Sequence, residues 1–441
     1  MRFQSLSAFC LGAFLVAITG CAHRPLNQPI GAVPDRPAYT AATARHPDNS
    51  TNLLVILAFS GGGTRAAALA YGVLEELRDT RVVWEGRERR LLDEVDIVTG
   101  VSGGAFTAAY FCLAGDAMFD DFERRFLKRN VQGALLTRVL SPLNWFRTWS
   151  PYYGRSDLAA EYYDKILFGG ATYETLARAG RGPFLLIIST DLTLGTTFTF
   201  TPKQFALIGS DLSSVPLSRA AAASSAVPAV FTPITLKNYA SIHPVPASRT
   251  NALTGKLEPN PYADTNRCRF IHLVDGGVSD NLGIRPLLLD VQERGYPFAA
   301  STPQSPPTKV LFVVVNAETK EPRNWSQHEA APGVFLQLLG FTSSVMSAYS
   351  ADTLLYFSSL IREWAAESTR RQVQISFYPV EVEFGDVANE AERLYLNRIP
   401  TTFHLSPERV DRLRLAGRML LRQSPQFRKL MDEIELRPPL P

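Results

Sequence analysis

Three short segments of this chain pair a chemically competent side chain with glycines that would leave it accessible. The first is Gly100-Val101-Ser102-Gly103-Gly104, set between an apolar stretch and a helix-compatible one. A serine in G-x-S-x-G at a strand-to-helix turn is held in a strained elbow with its oxygen exposed at the helix start. The small neighbours leave room for an acyl carbonyl, so the chemistry is nucleophilic attack. The second segment is Val274-Asp275-Gly276-Gly277-Val278, just past another apolar run. An aspartate there sits at the carboxyl edge of a strand, where open α/β sheets gather their sites, although an Asp-Gly pair alone also describes a plain turn. The third is Ser60-Gly61-Gly62-Gly63-Thr64-Arg65. Its glycines turn several N–H groups into one concavity at a helix N-terminus, which suits negative charge. Gly61, Gly63 and Ala66 also fit the dinucleotide pattern G-x-G-x-x-G/A.

These segments need a scaffold that brings them together. Leu53 to Phe59 is a continuous apolar run, as expected for a strand buried on both faces of a parallel sheet. Further strands are expected at Val95–Val98, Phe184–Ser189, Phe270–Val274 and Val310–Val315, with helices at Arg65–Leu77, Gly103–Leu113 and Ile284–Val291. Strands alternating with helices predict an α/β fold of three layers, a mostly parallel sheet flanked by helices. Residues 116–180 read as a helical insertion carrying Trp145, Phe146, Trp149, Tyr152 and Tyr153. That aromatic cluster fits a membrane contact, a cover over an acyl pocket, or ordinary packing of an inserted helical pair. Residues 236–268 read as a polar surface loop. Val334–Ala366 reads as a long helix and Gln372–Phe377 as an edge strand. A last helix starts at Ser406-Pro407-Glu408, with a Ser cap, Pro at the first position and an acid in the first turn.

In this order the glycine loop, G-x-S-G-G and D-G-G resemble the patatin-like phospholipase family. Gly72-Val73-Leu74 on the first helix, Ala223 to Phe231 between serine and aspartate, and Asp280-Asn281 add to the resemblance, which covers about residues 52–320. The resemblance implies a three-layer patatin-like fold and a serine acyl hydrolase of phospholipase A or lysophospholipase type, working without metal or cofactor. It implies a dyad: Ser102 as nucleophile, Asp275 as base, and the N–H groups of Gly61, Gly62 and Gly63 as the oxyanion hole. Arg65 matches a basic position that would favour an anionic head group or support the loop. Ala66 and Tyr71 depart from the family, which often has glycine and histidine there. The rivals are a Ser-His-Asp esterase or thioesterase using His328 or His404, a dinucleotide oxidoreductase, and a non-catalytic lipid-binding lipoprotein. The first lacks a well-placed histidine; the others leave Ser102 and Asp275 unexplained.

The N-terminus speaks to location. Arg2 precedes an apolar stretch from Ala8 to Ile18, which ends in Ile18-Thr19-Gly20-Cys21. Too short to span a bilayer comfortably, it fits a secretory signal. Its end resembles the bacterial lipobox, which implies a lipidated Cys21 and anchoring in the cell envelope. Ala22 in place of an aspartate points to the outer membrane of a Gram-negative cell. The domain reading is therefore a signal peptide at 1–20, a lipidated cysteine and flexible tether at 21–50, a catalytic domain at 51–320 and a C-terminal helical extension at 321–441 packed on the same domain. The 45 basic and 42 acidic residues balance to a net charge of +3, which argues against a nucleic-acid partner. The expected partners are a lipid substrate and a membrane surface. Of four cysteines only Cys112 and Cys268 fall in the body; they make no disulfide framework or zinc site and read as two core thiols, with a single disulfide between them as the alternative outside the cytoplasm.

Overall fold

The computed structural model describes residues 23–33, 37–251, 256–294, 307–320, 327, 329–372 and 375–435. The signal segment, Cys21 and His328 lie outside them. The chain builds a mixed, mostly parallel sheet of eight strands: β1 Leu53–Phe59, β2 Val95–Val101, β3 Phe184–Asp191, β4 Thr196–Thr199, β5 Ile234–Lys237, β6 Phe270–Asp275, β7 Lys309–Asn316 and β8 Ser376–Glu383. Their spatial order is β8-β7-β1-β2-β3-β6-β5, with β4 paired to the end of β3. The strands from β8 to β3 are parallel.

Period-two alternation in β1 creates the three layers. Val55, Leu57 and Phe59 enter one core, against α1 (Gly63–Asp79), α2 (Gly103–Ala114), α9 (Pro407–Gln423) and α10 (Pro425–Glu435). Leu54, Ile56 and Ala58 enter the other, against Leu287 and Leu288 of α7 (Arg285–Arg294) and Phe357, Leu360 and Trp364 of α8 (Val334–Arg370). A strand with both faces covered must be apolar throughout, which is why β1 reads as an unbroken hydrophobic run.

The sheet departs from the sequence reading at β6. This strand runs antiparallel to both β3 and β5. Its burial alternates, with Phe270 and His272 outward and Ile271 and Leu273 inward, the pattern of a strand covered on one face. Two strands were not expected. β4 is a short return off β3, and β5 opens the segment read as a loop, which also carries a hairpin of Ser248–Thr250 with Leu257–Pro259.

The N-terminal part differs from the reading of a flexible tether. The described residues of the expected tether are packed on the body. Asn27 Nδ2 donates to Ser210 Oγ and Lys237 O, Tyr39 is 1% exposed, and Arg45 Nε donates to Asp96 Oδ1 at 2.9 Å. Polar, proline-rich composition hid this, because the segment docks by single side chains rather than a periodic face. At the other end, β8 pairs in parallel with β7, so the sheet is incomplete at residue 320. A further helix, α10, follows the one starting at Ser406. Helix α9 lies so close to α1 that a Cβ on Gly72 would stand 2.1 Å from Arg414 O. Arg414, Arg418 and Arg422 recur every fourth residue and pair with Glu75, Asp79 and Glu76 of α1.

A fragment ending at residue 320 would expose the edge of β7 over Val310 to Val315 and strip α1 of its partner. It is expected to aggregate and to show no cooperative thermal transition. A soluble fragment with a sharp melting transition would show that the C-terminal part is dispensable.

Candidate active site

Each end of the site is placed by one side of β3. Val101 of β2 registers with Ile188, and Asp275 of β6 registers with Ser189 on the other side. Neighbouring strands stand about 4.8 Å apart, so Ser102 and Asp275 face each other over the width of β3. The sequence reading brought them together as two carboxyl edges of parallel strands. The structure instead lets β2 and β6 approach from opposite directions and stop at the same height. Ser102 Oγ donates to Asp275 Oδ2 at 2.9 Å, and both residues are buried.

The serine occupies a strained elbow, with φ 49° and ψ −116°. A non-glycine residue there costs about 1–3 kcal/mol and persists only where its surroundings over-determine it. They do. Ser102 N–H donates to Ser224 Oγ at 2.8 Å, and Ser224 Oγ donates to Ile188 O at 2.6 Å. Gly103 is obligatory, because a Cβ would lie 2.0 Å from Gly63 O. That contact also presses the glycine loop onto the start of α2.

Asp275 is held just as closely. Its Oδ1 accepts from Gly277 N–H at 2.8 Å, its N–H donates to Ala226 O at 2.9 Å, and its carbonyl accepts from Thr190 Oγ1 at 2.8 Å. Burial pushes its pKa up to about 6, against the smaller opposing pull of the Gly277 N–H and the Ser102 hydroxyl. A carboxylate that titrates near 6 is charged at neutral pH and is a far better proton acceptor than an exposed aspartate.

The glycine loop divides its donors unevenly. Gly61 N–H donates to Asn281 O at 3.0 Å, and Thr64 N–H donates to Thr402 O at 2.8 Å. Gly61 therefore does not have the free N–H expected of it. Gly62 and Gly63, at φ 139° and 61°, start α1. Their N–H groups precede the first intrahelical bond and stand where an anion can be received. The loop abuts the serine: a Cβ on Gly61 would touch Ser102 Cβ at 3.4 Å.

Arg65 is 5% exposed and ties the loop down. Its Nε donates to Ala317 O at 2.9 Å and its Nη1 to Ile399 O at 2.6 Å. Burial lowers its pKa to about 10. Of the two roles expected of it, loop support is the one its contacts serve. Asp280 accepts N–H groups from Gly283 and Arg285 and so caps the turn into α7. Ser224, Ala226, Asn281 and Thr402 were not singled out in the sequence as parts of the site. Ser224 and Ala226 do lie in Ala223–Phe231, and Asn281 beside Asp280, so their positions were visible but their contacts were not.

Neither Ser102 nor Asp275 hydrogen-bonds a histidine among the described residues. His404 is exposed, ahead of α9. Cys112 is buried and Cys268 half-buried, and both are free.

The patatin-like phospholipase family matches residues 57–288, just over half of the chain and all of the site. The chain belongs to the patatin-like phospholipase family. No curated protein matches it. Among solved structures, the patatin-like chain is similar to human GIVD cytosolic phospholipase A2 at 15% identity and a TM-score of 0.34, over 60% of this chain. It spans only 43% of that protein's length. It is also similar to VipD from Legionella pneumophila, at 12% identity and a TM-score of 0.34, over 87% of this chain and 67% of the other.

Two substitutions test this patatin-like geometry. Ser224→Ala leaves the buried Ser102 N–H and Ile188 O without partners, and is expected to cost about 1–3 kcal/mol of stability in urea unfolding. Asp275→Asn is expected to stabilise. The raised pKa means that the folded state favours the protonated carboxyl. The contribution of Asp275 to stability is therefore full below its unfolded pKa near 4 and is lost as pH rises through about 6. The asparagine should therefore gain about 2 kcal/mol at pH 8, and the gain should shrink as pH falls towards about 4. A destabilised Asp275→Asn at pH 8 would contradict this electrostatic reading.

Proposed function

We propose that the protein is a serine acyl hydrolase acting on membrane lipids, of phospholipase A or lysophospholipase type. The observation that carries this reading is the 2.9 Å hydrogen bond from Ser102 Oγ to a buried Asp275 carboxylate beside the N–H groups of Gly62 and Gly63. Ser102 Oγ attacks the acyl carbonyl as its proton passes to Asp275 Oδ2. The carbonyl oxygen becomes an oxyanion received by the Gly62 and Gly63 N–H groups, a term commonly worth about 3–4 kcal/mol per donor. The leaving alkoxide takes the proton from Asp275, leaving an acyl-serine. Asp275 then accepts a proton from water, which attacks the acyl-serine and releases the fatty acid, and the proton returns to Ser102.

The family membership, and the absence of a histidine contact at Ser102 among the described residues, favour the dyad over a Ser-His-Asp triad. A dinucleotide reading is poorly supported, because Thr402 O already occupies the Thr64 N–H at the helix start. The lipid-anchored location follows from Ile18-Thr19-Gly20-Cys21. Replacing Cys21 with Ser should release the protein from membranes or leave an uncleaved precursor. Unchanged mass and fractionation would count against lipidation.

A fluorophosphonate probe is expected to label Ser102 and no other serine. Ser102→Ala and Asp275→Asn should each lower ester hydrolysis by about a thousand-fold or more, and the double variant should be no worse than either. His328→Ala and His404→Ala should stay within a few-fold of wild type. A thousand-fold loss on removing either histidine would restore the triad.

A further inference from the structure

We propose that the helical hairpin of α3 (Val131–Leu140) and α4 (Pro142–Thr148), with the turn that follows it, is a docking surface for an anionic lipid bilayer. The proposal deepens the lipid-hydrolase reading and rests on it for the identity of the substrate. The hairpin turns large apolar side chains outward. Leu136, Leu140, Leu143, Trp145, Trp149 and Tyr152 are all exposed, Leu143 by 80% and Trp149 by 69%. Single exposed leucines are ordinary. A run of them with two tryptophans on adjoining short helices marks an interaction surface.

Charge identifies the occupant. From Arg124 to Ser156 the chain carries seven basic residues and no acidic one; Arg125, Lys128 and Arg147 pair with Asp121, Glu123 and Glu161, and Arg124, Arg129, Arg138 and Arg155 supply the remaining positive charge. Arg138 lies over the Tyr162 ring at 4.2 Å and Arg147 over the Tyr153 ring at 4.4 Å. Apolar and aromatic side chains among arginines match an interface of acyl chains beneath anionic head groups.

The N-terminal segment points the same way. His23, the first described residue, stacks on Tyr152 with ring centroids 4.7 Å apart, and Arg24 N–H donates to Tyr152 O at 2.9 Å. Cys21, the expected lipidation site, precedes His23 by two residues in the sequence.

Both ends of the hairpin contact segments that hold the site. At its start, Gln132 N–H donates to Phe403 O, and the neighbouring Thr402 holds the glycine loop through Thr64 N–H. Just past its end, Ser156 N–H donates to Thr232 Oγ1 at 3.1 Å. Thr232 closes the loop that leaves α6 (Leu217–Ser224), whose Ser224 holds the Ser102 elbow. A bilayer resting on the hairpin would therefore bear on the segments that hold the glycine loop and the Ser102 elbow.

The test uses the full chain and vesicles of phosphatidylcholine, alone or mixed with phosphatidylglycerol, with brominated acyl chains that quench buried tryptophan. Wild-type fluorescence should be quenched, and more strongly on the anionic vesicles. Quenching should fall by at least about half in Trp145→Phe with Trp149→Phe, and should be unchanged in Trp364→Phe, a core residue. Leu143→Ser with Trp149→Ser should hydrolyse vesicle phospholipid about tenfold more slowly while a water-soluble short-chain ester is turned over as before. Normal turnover of the soluble ester shows that the variant is folded. Undiminished quenching in the double phenylalanine variant overturns the proposal, as does unchanged vesicle hydrolysis in the serine variant. So does a shift from dimer to monomer in the serine variant with vesicle hydrolysis intact, which would make the surface a contact between copies of the chain. If wild type hydrolyses neither ester but is quenched as described, the docking surface stands and the hydrolase reading falls.

Discussion

A carboxylate enclosed by protein is tolerable only if hydrogen bonds replace most of the water it has lost. Asp275 has two such bonds, one from the Gly277 N–H and one from the Ser102 hydroxyl. They do not fully compensate, and its pKa rises to about 6. That incomplete compensation is what makes the group useful. A carboxylate satisfied by three or four donors would hold its charge at low pH and would have little affinity for a proton. Here the serine hydroxyl is one of the two donors, so the base and the group it would deprotonate stabilise one another in the resting state.

The surrounding structure is arranged to keep that pair in register. Ser102 is forced to positive φ by contacts on both sides, from Ser224 below its amide and from the glycine loop against Gly103. Asp275 arrives on an antiparallel strand, which ends at the height where β2 ends. The glycine loop is fixed from a distance, through Arg65 to Ala317 and Ile399 and through Thr64 to Thr402. The C-terminal region is thus part of the machinery that shapes the site, although none of its side chains touches the Ser102–Asp275 pair through a hydrogen bond among the described residues. The tight crossing of α1 and α9 and the arginine ladder from Arg414 to Arg422 make α1, and with it the start of the loop, a rigid body.

Local signals in the sequence carried much of this. The apolar runs of β1, β3 and β7 are strands buried on two faces, and such strands declare themselves through composition. G-x-S-G-G and D-G-G declared themselves because the backbone there needs glycine. Strand direction was not legible. The apolar run before Asp275 is compatible with either direction, and only the pairing of Val274 with Thr190 decides it. The docking of residues 23–33 and 37–50 was missed because single anchors such as Asn27, Tyr39 and Arg45 leave no periodic trace. The loss of the Gly61 N–H to Asn281 was invisible for a similar reason: a backbone carbonyl contributed by a residue 220 positions later has no side-chain signature.

The account depends on Asp275 being the base that activates Ser102, and the pH dependence of the serine's own reactivity tests this most directly. The second-order rate of Ser102 inactivation by a fluorophosphonate should be measured from about pH 4 to pH 9. The rate should rise with pH through a single inflection near 6, as Asp275 loses its proton, and then stay level. In Asp275→Asn it should be low and flat across the range. An inflection near 7 that survives in Asp275→Asn would assign the base to another group and contradict the account.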